Sequence, residues 1–277
     1  MKPKGADAVA GPTRWHVLPT RSALEAEASG RVASAARNAF AHGGRFRIVL
    51  AGGETPRNVY RNLVALDTEW ARWEVYFGDE RCVARGDAER NDRMAFDAWL
   101  DRVAIPREAI HVIPAEKGPA AGAEAYRRTL AGVDDFDLVL LGLGEDGHTA
   151  SLFPGAHERG EGADAPDALP VFGAPKPPPE RVSMSAARLG RSRQVLFLVA
   201  GESKRDAVQR WRGGEKIPAA SVRCEAGVDV LVEGVAFGPG GKGAKGELVT
   251  PVPEPDELAG IARGSRKDGY RDRKDRY

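Results

Sequence analysis

The segment that most constrains the fold is residues 136–155, FDLVLLGLGEDGHTASLFPG. Its apolar run LVLL leads directly into Gly142, which is typical of a strand buried on both faces of a parallel sheet. In open α/β sheets, ligands bind where the chain leaves the carboxyl ends of the strands. The loop after this strand therefore predicts a site, with His148 as an acid–base group and Asp146 beside it. A loop histidine with one structural hydrogen bond is the alternative, and the dense glycine, acid and hydroxyl context favours chemistry.

The same segment carries a family resemblance. Residues 142–155, GLGEDGHTASLFPG, resemble the signature of the 6-phosphogluconolactonases, hydrolases that open a sugar-phosphate lactone in the oxidative pentose phosphate pathway. The match is long and contiguous, so it is far more specific than an isolated G-x-G. It implies a cytoplasmic hydrolase that works on a phosphosugar lactone without a metal or a cofactor.

Composition excludes several other classes of protein. The 277 residues carry 41 basic and 40 acidic side chains, so no overall positive field indicates a nucleic-acid partner. Cys82 and Cys224 lie far apart without metal-ligand spacing, which predicts no disulfide framework and fits a reducing cytosol. No apolar run is long enough to cross a bilayer, and the first residues lack the apolar core of a secretory signal. We expect a soluble cytoplasmic protein with no membrane partner.

A second strand-to-helix junction follows the strand FRIVL at residues 46–50. Gly52, Gly53 and Thr55 stand in the loop AGGETP, just before a helix predicted at 56–66. Glycines let a backbone approach an anion closely, and the free N–H groups of a helix start point towards it. These three residues are therefore predicted to bind a phosphate. A simple turn in which Thr55 caps the helix is the alternative, and no Gly-Lys-Ser/Thr follows, so a nucleoside triphosphate is not indicated.

This loop also resembles the phosphate loop of the lactonases, which usually reads Ser-Gly-Gly-Ser-Thr-Pro. Here Ala51 and Glu54 replace the two serines. Because an acid beside a phosphate is unfavourable, we predict that Glu54 points away and contributes only its backbone. The effect of these two replacements on affinity is left open.

Two further strand ends bring charged residues to the same edge of the sheet. Asp79 and Arg81 follow the strand WEVYF, and the arginine fork suits phosphate or carboxylate while the acid orients it or binds sugar hydroxyls. Lys204 follows the strand at 194–200, in a first helical turn where a cation is disfavoured unless an anion lies nearby. A surface ion-pair cluster and a solvated lysine are the respective alternatives. The resemblance assigns Lys204 to the phosphate site, and the roles of Glu80 and Arg181 are left open.

Strands alternate with helices throughout, so the predicted fold class is α/β, a doubly wound, mainly parallel sheet flanked by helices. The resemblance implies the architecture shared by phosphogluconolactonases, glucosamine-6-phosphate deaminases and ribose-5-phosphate isomerases. Ser22 is predicted to cap the first helix. Residues 1–12 are predicted to be a flexible leader, 13–237 the folded domain and 238–277 a disordered tail, with 155–180 a loop without its own core.

These observations predict a hydrolytic mechanism. His148 would take a proton from the water that attacks the lactone carbonyl, and Asp146 would orient the loop or the imidazole. The remote phosphate would be held by Gly53, Thr55, Arg81 and Lys204. One alternative is a sugar-phosphate deaminase or isomerase on the same scaffold, with Asp79 as its base. Another is a non-catalytic sugar-phosphate sensor. The oligomeric state, monomer or dimer, is left open.

Overall fold

The computed structural model describes residues 11–155, 160–162, 164–238 and 248–251. The strands are β1 (Thr13–Leu18), β2 (Phe46–Leu50), β3 (Trp73–Phe77), β4 (Asp79–Arg81), β5 (Ile110–His111), β6 (Leu138–Gly142), β7 (Ala168–Val171), β8 (Arg181–Met184), β9 (Val195–Val199), β10 (Val228–Glu233) and β11 (Leu248–Pro251). The α-helices are α1 (Arg21–Ala41), α2 (Glu54–Leu63), α3 (Asn91–Ala98), α4 (Pro119–Leu130), α5 (Ala186–Gly190), α6 (Arg205–Arg212), α7 (Pro218–Ser221) and α8 (Gly234–Phe237).

The described strands form two sheets. The main sheet has eight strands in the order β11-β1-β10-β9-β6-β2-β3-β5, and every pairing in it is parallel. A second sheet of three antiparallel strands, β4-β8-β7, stands beside it. The predicted mainly parallel α/β fold is confirmed. The small antiparallel sheet was not predicted, since β4 and β7, which pair with the two edges of β8, have only three and four residues.

Burial explains why the central strands were recognisable from sequence. Residues 138–141 of β6 and all of β9 are buried, as expected for strands covered on both faces. The first helix was predicted less accurately. Its cap is Thr20, whose hydroxyl accepts a hydrogen bond from the backbone N–H of Ala23 at 3.2 Å, so the assignment of Ser22 is wrong. This shift makes Arg21 the first residue of α1.

Two buried tyrosines fix the carboxyl ends of neighbouring strands. The Tyr60 hydroxyl accepts from the backbone N–H of Ala51 and donates to its carbonyl, at 2.9 and 2.8 Å. The Tyr126 hydroxyl makes the same pair of bonds to Phe77, at 3.1 and 3.0 Å. Burial raises the pKa of both hydroxyls, which therefore stay protonated and able to donate. The backbone of β2 and β3 is thus held in place where the site residues begin.

A buried ionic cluster connects β4 to α3. The Glu80 carboxylate, fully buried, accepts hydrogen bonds from the backbone N–H groups of Arg81, Asn91 and Asp92 at 2.8–2.9 Å. Arg90 is 1 % exposed and makes a two-pronged contact with Asp92, with Nη2 2.7 Å from Oδ2 and Nε 2.8 Å from Oδ1. Burial, reinforced by the charge of Asp92, raises the pKa of Glu80 to about 7. Glu80 therefore has a structural role at the start of α3.

Two predictions about irregular segments need correction. Residues 248–251, within the predicted disordered tail, form β11 and pair with the outer edge of β1. An exposed strand edge carries unpaired backbone groups, so even a short apolar segment can add to it. Within 155–180, predicted to be a loop, β7 pairs with β8. The remaining tail, like residues 1–10 of the predicted leader, lies outside the described residues. No described helix has the length and hydropathy needed to span a membrane.

Candidate active site

A cleft of about 290 Å³ opens where β9, β6, β2 and β3 end side by side. We call it the His148 cleft. Six of the eight predicted site residues line it: Gly52, Gly53, Asp79, Arg81, His148 and Lys204. Parallel strands that are neighbours in the sheet bring their following loops together, which is how segments distant in the chain meet here.

His148 and Asp146 form a hydrogen-bonded pair at one side of the cleft. The distance from His148 Nδ1 to Asp146 Oδ1 is 2.5 Å, and the same oxygen accepts from the backbone N–H of His148 at 3.2 Å. Since a carboxylate only accepts, Nδ1 carries the proton and Nε2 keeps its lone pair. Within the described residues Nε2 has no hydrogen-bond partner. The imidazole is thus oriented as a base, with the unprotonated Nε2 available to a ligand in the cleft.

The electrostatics of this pair suit a base at neutral pH. Burial lowers the pKa of His148 below its ordinary value of 6.5, and the neighbouring Asp146 carboxylate offsets part of that shift. Burial alone would raise the pKa of Asp146, but the hydrogen bond and charge of His148 outweigh it and hold that pKa below its usual value. At pH 7 the imidazole is therefore neutral and the carboxylate ionised.

The loop that carries the pair has little freedom. A Cβ on Gly144 would lie 2.0 Å from His148 Nδ1 and 2.7 Å from Asp146 Oδ1, so only glycine fits. Gly147 has a φ of +88°, and a Cβ there would meet Ile217 at 2.8 Å. The Thr149 hydroxyl donates to the carbonyl of Gly142 at 2.8 Å, which ties the loop back to β6. The glycines visible in the sequence thus serve to place the imidazole.

Asp146→Asn is expected to move the acidic limb of the pH–rate profile to lower pH. The neutral imidazole is the active form, so kcat/KM rises with pH through the pKa of His148 and is flat above it. Removing the carboxylate charge removes the interaction that raises this pKa, so the limb shifts downwards. The plateau should also fall, by about tenfold or more, because an amide no longer enforces the Nδ1–H tautomer. The measurement is kcat/KM between pH 5 and 8, with Asp97→Asn on the surface of α3 as the control. A limb that stays in place or moves upwards would contradict this assignment.

Asp79 connects the His148 loop to the second sheet. Its Oδ2 accepts from the Ser151 hydroxyl at 2.6 Å, and its Oδ1 accepts from the Asn91 side chain at 3.2 Å. Asn91 packs against the phosphate loop so closely that a Cβ on Gly52 would lie 2.1 Å from its Oδ1. Asp79 therefore links the His148 loop, through Ser151, to the loop before α2, through Asn91.

Cations also line the cleft. Arg81 and Arg181 stand opposite each other in β4 and β8, although like charges at such positions repel. Within the described residues, the buried Nε of Arg81 has no hydrogen-bond partner. Arg181 is buried and donates to the carbonyls of residues 176–178, and burial lowers its pKa. Lys204 and Lys176 also line the cleft. Together these side chains make the cleft suitable for an anionic ligand.

A second cleft, of about 320 Å³, continues past Gly53 and Lys204. We call it the Arg21 cleft. Thr55 lines this second cleft together with Glu54, whose Oε1 lies 3.6 Å from Arg21 Nη1. The prediction that Glu54 points away and contributes only its backbone stays a prediction, and its exposed carboxylate lies near Arg21 at the rim. The helix begins at Glu54, two residues before the predicted start at Pro56, so the backbone N–H groups of residues 54–56 belong to its first turn.

Sequence reasoning missed several of the residues that line the two clefts. The assignment of Ser22 as the cap places the start of the first helix two residues too late and so hides Arg21. Lys176 lies in a proline-rich stretch without a motif, and only the pairing of β8 with β4 brings this stretch to the site. The role of Ser151 depends on a contact with Asp79, 72 positions earlier in the chain, which no local pattern reveals. Among the described residues, no group of three His, Cys, Asp or Glu side chains is placed to hold a metal ion.

Comparison with known proteins identifies the family. Residues 19–231 match the family described as glucosamine-6-phosphate isomerases/6-phosphogluconolactonase. The chain belongs to this family. Among its relatives, 6-phosphogluconolactonase of Nostoc sp. is 37% identical over 201 residues, covering 69% of this chain and 82% of the relative. The enzyme of the same name from Mycobacterium leprae is 36% identical over 209 residues, covering 70% and 83%.

Solved structures of the family agree with the fold. The 6-phosphogluconolactonase of Thermotoga maritima superimposes with a TM-score of 0.74 at 26% identity, covering 80% of this chain and 100% of that one. The enzyme from Trypanosoma brucei gives 0.73 at 27% identity, covering 82% and 98%. A monomeric glucosamine-6-phosphate deaminase, at 19% identity and 0.70, shares the fold alone.

Proposed function

We propose that the chain is a 6-phosphogluconolactonase, which hydrolyses 6-phospho-D-glucono-1,5-lactone to 6-phospho-D-gluconate. One observation carries the proposal: a neutral histidine paired with a carboxylate shares a cleft with a cluster of cations. The first arrangement suits proton transfer from water, and the second suits the phosphate of a sugar. The curated relatives that carry this enzyme name support it independently.

In the proposed reaction, His148 Nε2 accepts a proton from water as the water oxygen bonds to the lactone carbonyl carbon. Backbone N–H groups of the surrounding loops stabilise the oxyanion of the tetrahedral intermediate. When that intermediate collapses, the bond from carbon to the ring oxygen breaks, and the imidazolium returns its proton to this oxygen. Asp146 stabilises the imidazolium between the two transfers. The residues of the chain thus complete the proton balance without a covalent intermediate.

The phosphate is assigned to cations of the cleft and to the loop before α2, where the His148 cleft meets the Arg21 cleft. The phosphate is the group farthest from the lactone bond that breaks. It is bound by Arg81, Lys204 and the loop before α2, with Gly52, Gly53 and Thr55. Binding energy from this remote group aligns the lactone beside His148. A deaminase would instead need Asp79 as a free base. Here both carboxylate oxygens of Asp79 already accept hydrogen bonds, which favours the lactonase.

Arg81→Ala and Lys204→Ala are each expected to weaken binding of 6-phosphogluconate by about 1.5–3 kcal/mol, or roughly 10- to 100-fold, because each removes a charged hydrogen bond to phosphate. Binding of gluconate, which lacks the phosphate, should change much less. Calorimetric titration of both ligands measures the difference. A control is Arg93→Ala, an exposed arginine paired with Asp97 on α3. Equal losses for the two ligands would remove these residues from the phosphate site.

The proposed activity is tested by adding the protein to freshly prepared 6-phosphogluconolactone and correcting for spontaneous ring opening. We expect a large acceleration, together with no release of ammonia from glucosamine-6-phosphate. Ring opening at the spontaneous rate would overturn the lactonase, and ammonia release would favour the deaminase.

A cytoplasmic location is part of the proposal and is supported by Cys82 and Cys224, which are both free thiols.

A further inference from the structure

The Arg21 cleft contains a cation that the proposed mechanism does not use. Arg21 begins α1 and reaches across the turn after β9, where a Cβ on Gly201 would lie 3.5 Å from its Nη2. Its neighbours in the cleft include Thr55, Ser203 and Lys204, so the guanidinium lies beside the predicted phosphate loop. The side chain is 40 % exposed and therefore accessible to a ligand.

Arg21 and Lys204 each face an acid of this chain at a distance too long for a good hydrogen bond. Arg21 Nη1 lies 3.6 Å from Glu54 Oε1, and Lys204 Nζ lies 3.8 Å from Glu145 Oε1. A charge-assisted hydrogen bond would have its heavy atoms about 2.7–2.9 Å apart. The Glu54 carboxylate is 69 % exposed, so its pairing with Arg21 is loose and costs little to break.

Glu54 also competes with a phosphate for a second feature of an anion site, the start of α2. It is the first residue of α2, and its side chain is the acid of the first helical turn. The positive end of the helix dipole and the free N–H groups lie there, and they attract a carboxylate as they attract a phosphate. A phosphate entering this site therefore meets a negative charge already placed at the helix start and at Arg21.

We propose that Arg21 is a further phosphate-binding residue and that Glu54 is a built-in counterion, which competes with the substrate phosphate for Arg21. This inference rests on the proposed phosphosugar function and deepens it. The chain binds the phosphate more weakly than it would with a neutral side chain at position 54. Glu54 thus sets affinity and selectivity for the phosphorylated ligand while the chemistry at His148 stays the same.

The test is a double-mutant cycle of Glu54→Gln and Arg21→Ala, with binding of 6-phosphogluconate and inorganic phosphate measured by calorimetry. Glu54→Gln keeps the shape of the side chain and should tighten both ligands about threefold to fivefold. Arg21→Ala should weaken both about threefold to tenfold. In the Arg21→Ala background, Glu54→Gln should tighten binding clearly less than in the unmodified chain, since only the repulsion at the helix start remains to be relieved. Gluconate binding should be unchanged in all variants.

Glu69→Gln serves as the matched control, because it removes the same charge from an exposed acid paired with Arg72, away from both clefts. Unchanged or weaker phosphate binding in Glu54→Gln would overturn the counterion role. Equal tightening with and without Arg21 would overturn the assignment of Arg21. Absence of any phosphate binding by the unmodified protein would overturn both. Since binding is measured without turnover, a protein that binds the ligand but opens no lactone would refute the proposed function and leave this inference standing.

Discussion

His148→Ala is expected to lower kcat for lactone hydrolysis by about 10²–10⁴-fold, the usual cost of losing a general base. The variant loses the one group that takes the proton from water and returns it to the ring oxygen. Binding of 6-phosphogluconate should stay within about twofold, because the proposed phosphate-binding residues are intact. The melting temperature should change little, since the ring lines the cleft, where it contacts Phe153 and bonds to Asp146.

The measurement is steady-state kinetics with the phosphorylated lactone, accompanied by calorimetry with the product. His42→Ala provides the control, because this exposed histidine is the C-cap residue of α1 and its ring Nδ1 bonds to the carbonyl of Asn38. Turnover near that of the unmodified protein would exclude His148 as the base. A parallel loss of folding would instead assign it a structural role.

Arg90→Met is expected to destabilise the protein by about 3–5 kcal/mol, which lowers the melting temperature by roughly 10 °C. Arg90 is almost fully buried, and it neutralises Asp92 while its Nε lies 3.7 Å from Glu80 Oε2. Methionine fills similar space but leaves two buried carboxylates without their cation. The loss of that charge, more than the loss of packing, accounts for the expected cost.

The measurement is the free energy of unfolding, by heat and by urea, of Arg90→Met, with Arg93→Met as the matched control. Arg93 is three residues further on, half-exposed, and paired only with Asp97, so its replacement should cost less than about 0.5 kcal/mol. Activity should fall as well in Arg90→Met, because the cluster holds Asn91 against Asp79. A melting temperature within about 2 °C of the unmodified protein would show that the cluster does not support the fold as described.

The sequence was most informative where the chain leaves strands of the main sheet. The apolar runs of β6 and β9 predicted buried parallel strands, and such strands bring their loops together whatever the separation in sequence. This topology places His148, Gly53 and Lys204 in one cleft, as predicted. Asp146 pairs with the histidine because a glycine at position 144 leaves room for the close turn.

Other features depend on contacts that no local pattern encodes. β4 and β7 are too short for a clear alternation, and the pairing of β4 with β8 brings Arg181 and Lys176 to the site. The start of α1 was misplaced because Thr20 and Ser22 are both good caps, and only the hydrogen bond to the Ala23 N–H distinguishes them. The sequence alone does not reveal the ion pair of Glu54, since its partner Arg21 lies in another helix.

The central claim is that different residues of the cleft have separate tasks, chemistry at His148 and phosphate binding at Arg81 and Lys204. The most direct test is the ratio of kcat/KM for 6-phosphogluconolactone to kcat/KM for unphosphorylated gluconolactone, measured in the variants of these three residues. We predict that His148→Ala lowers both values and leaves the ratio nearly unchanged, whereas Arg81→Ala and Lys204→Ala lower the ratio about tenfold or more. A ratio that changes in His148→Ala, or stays constant in the other two, would contradict the account.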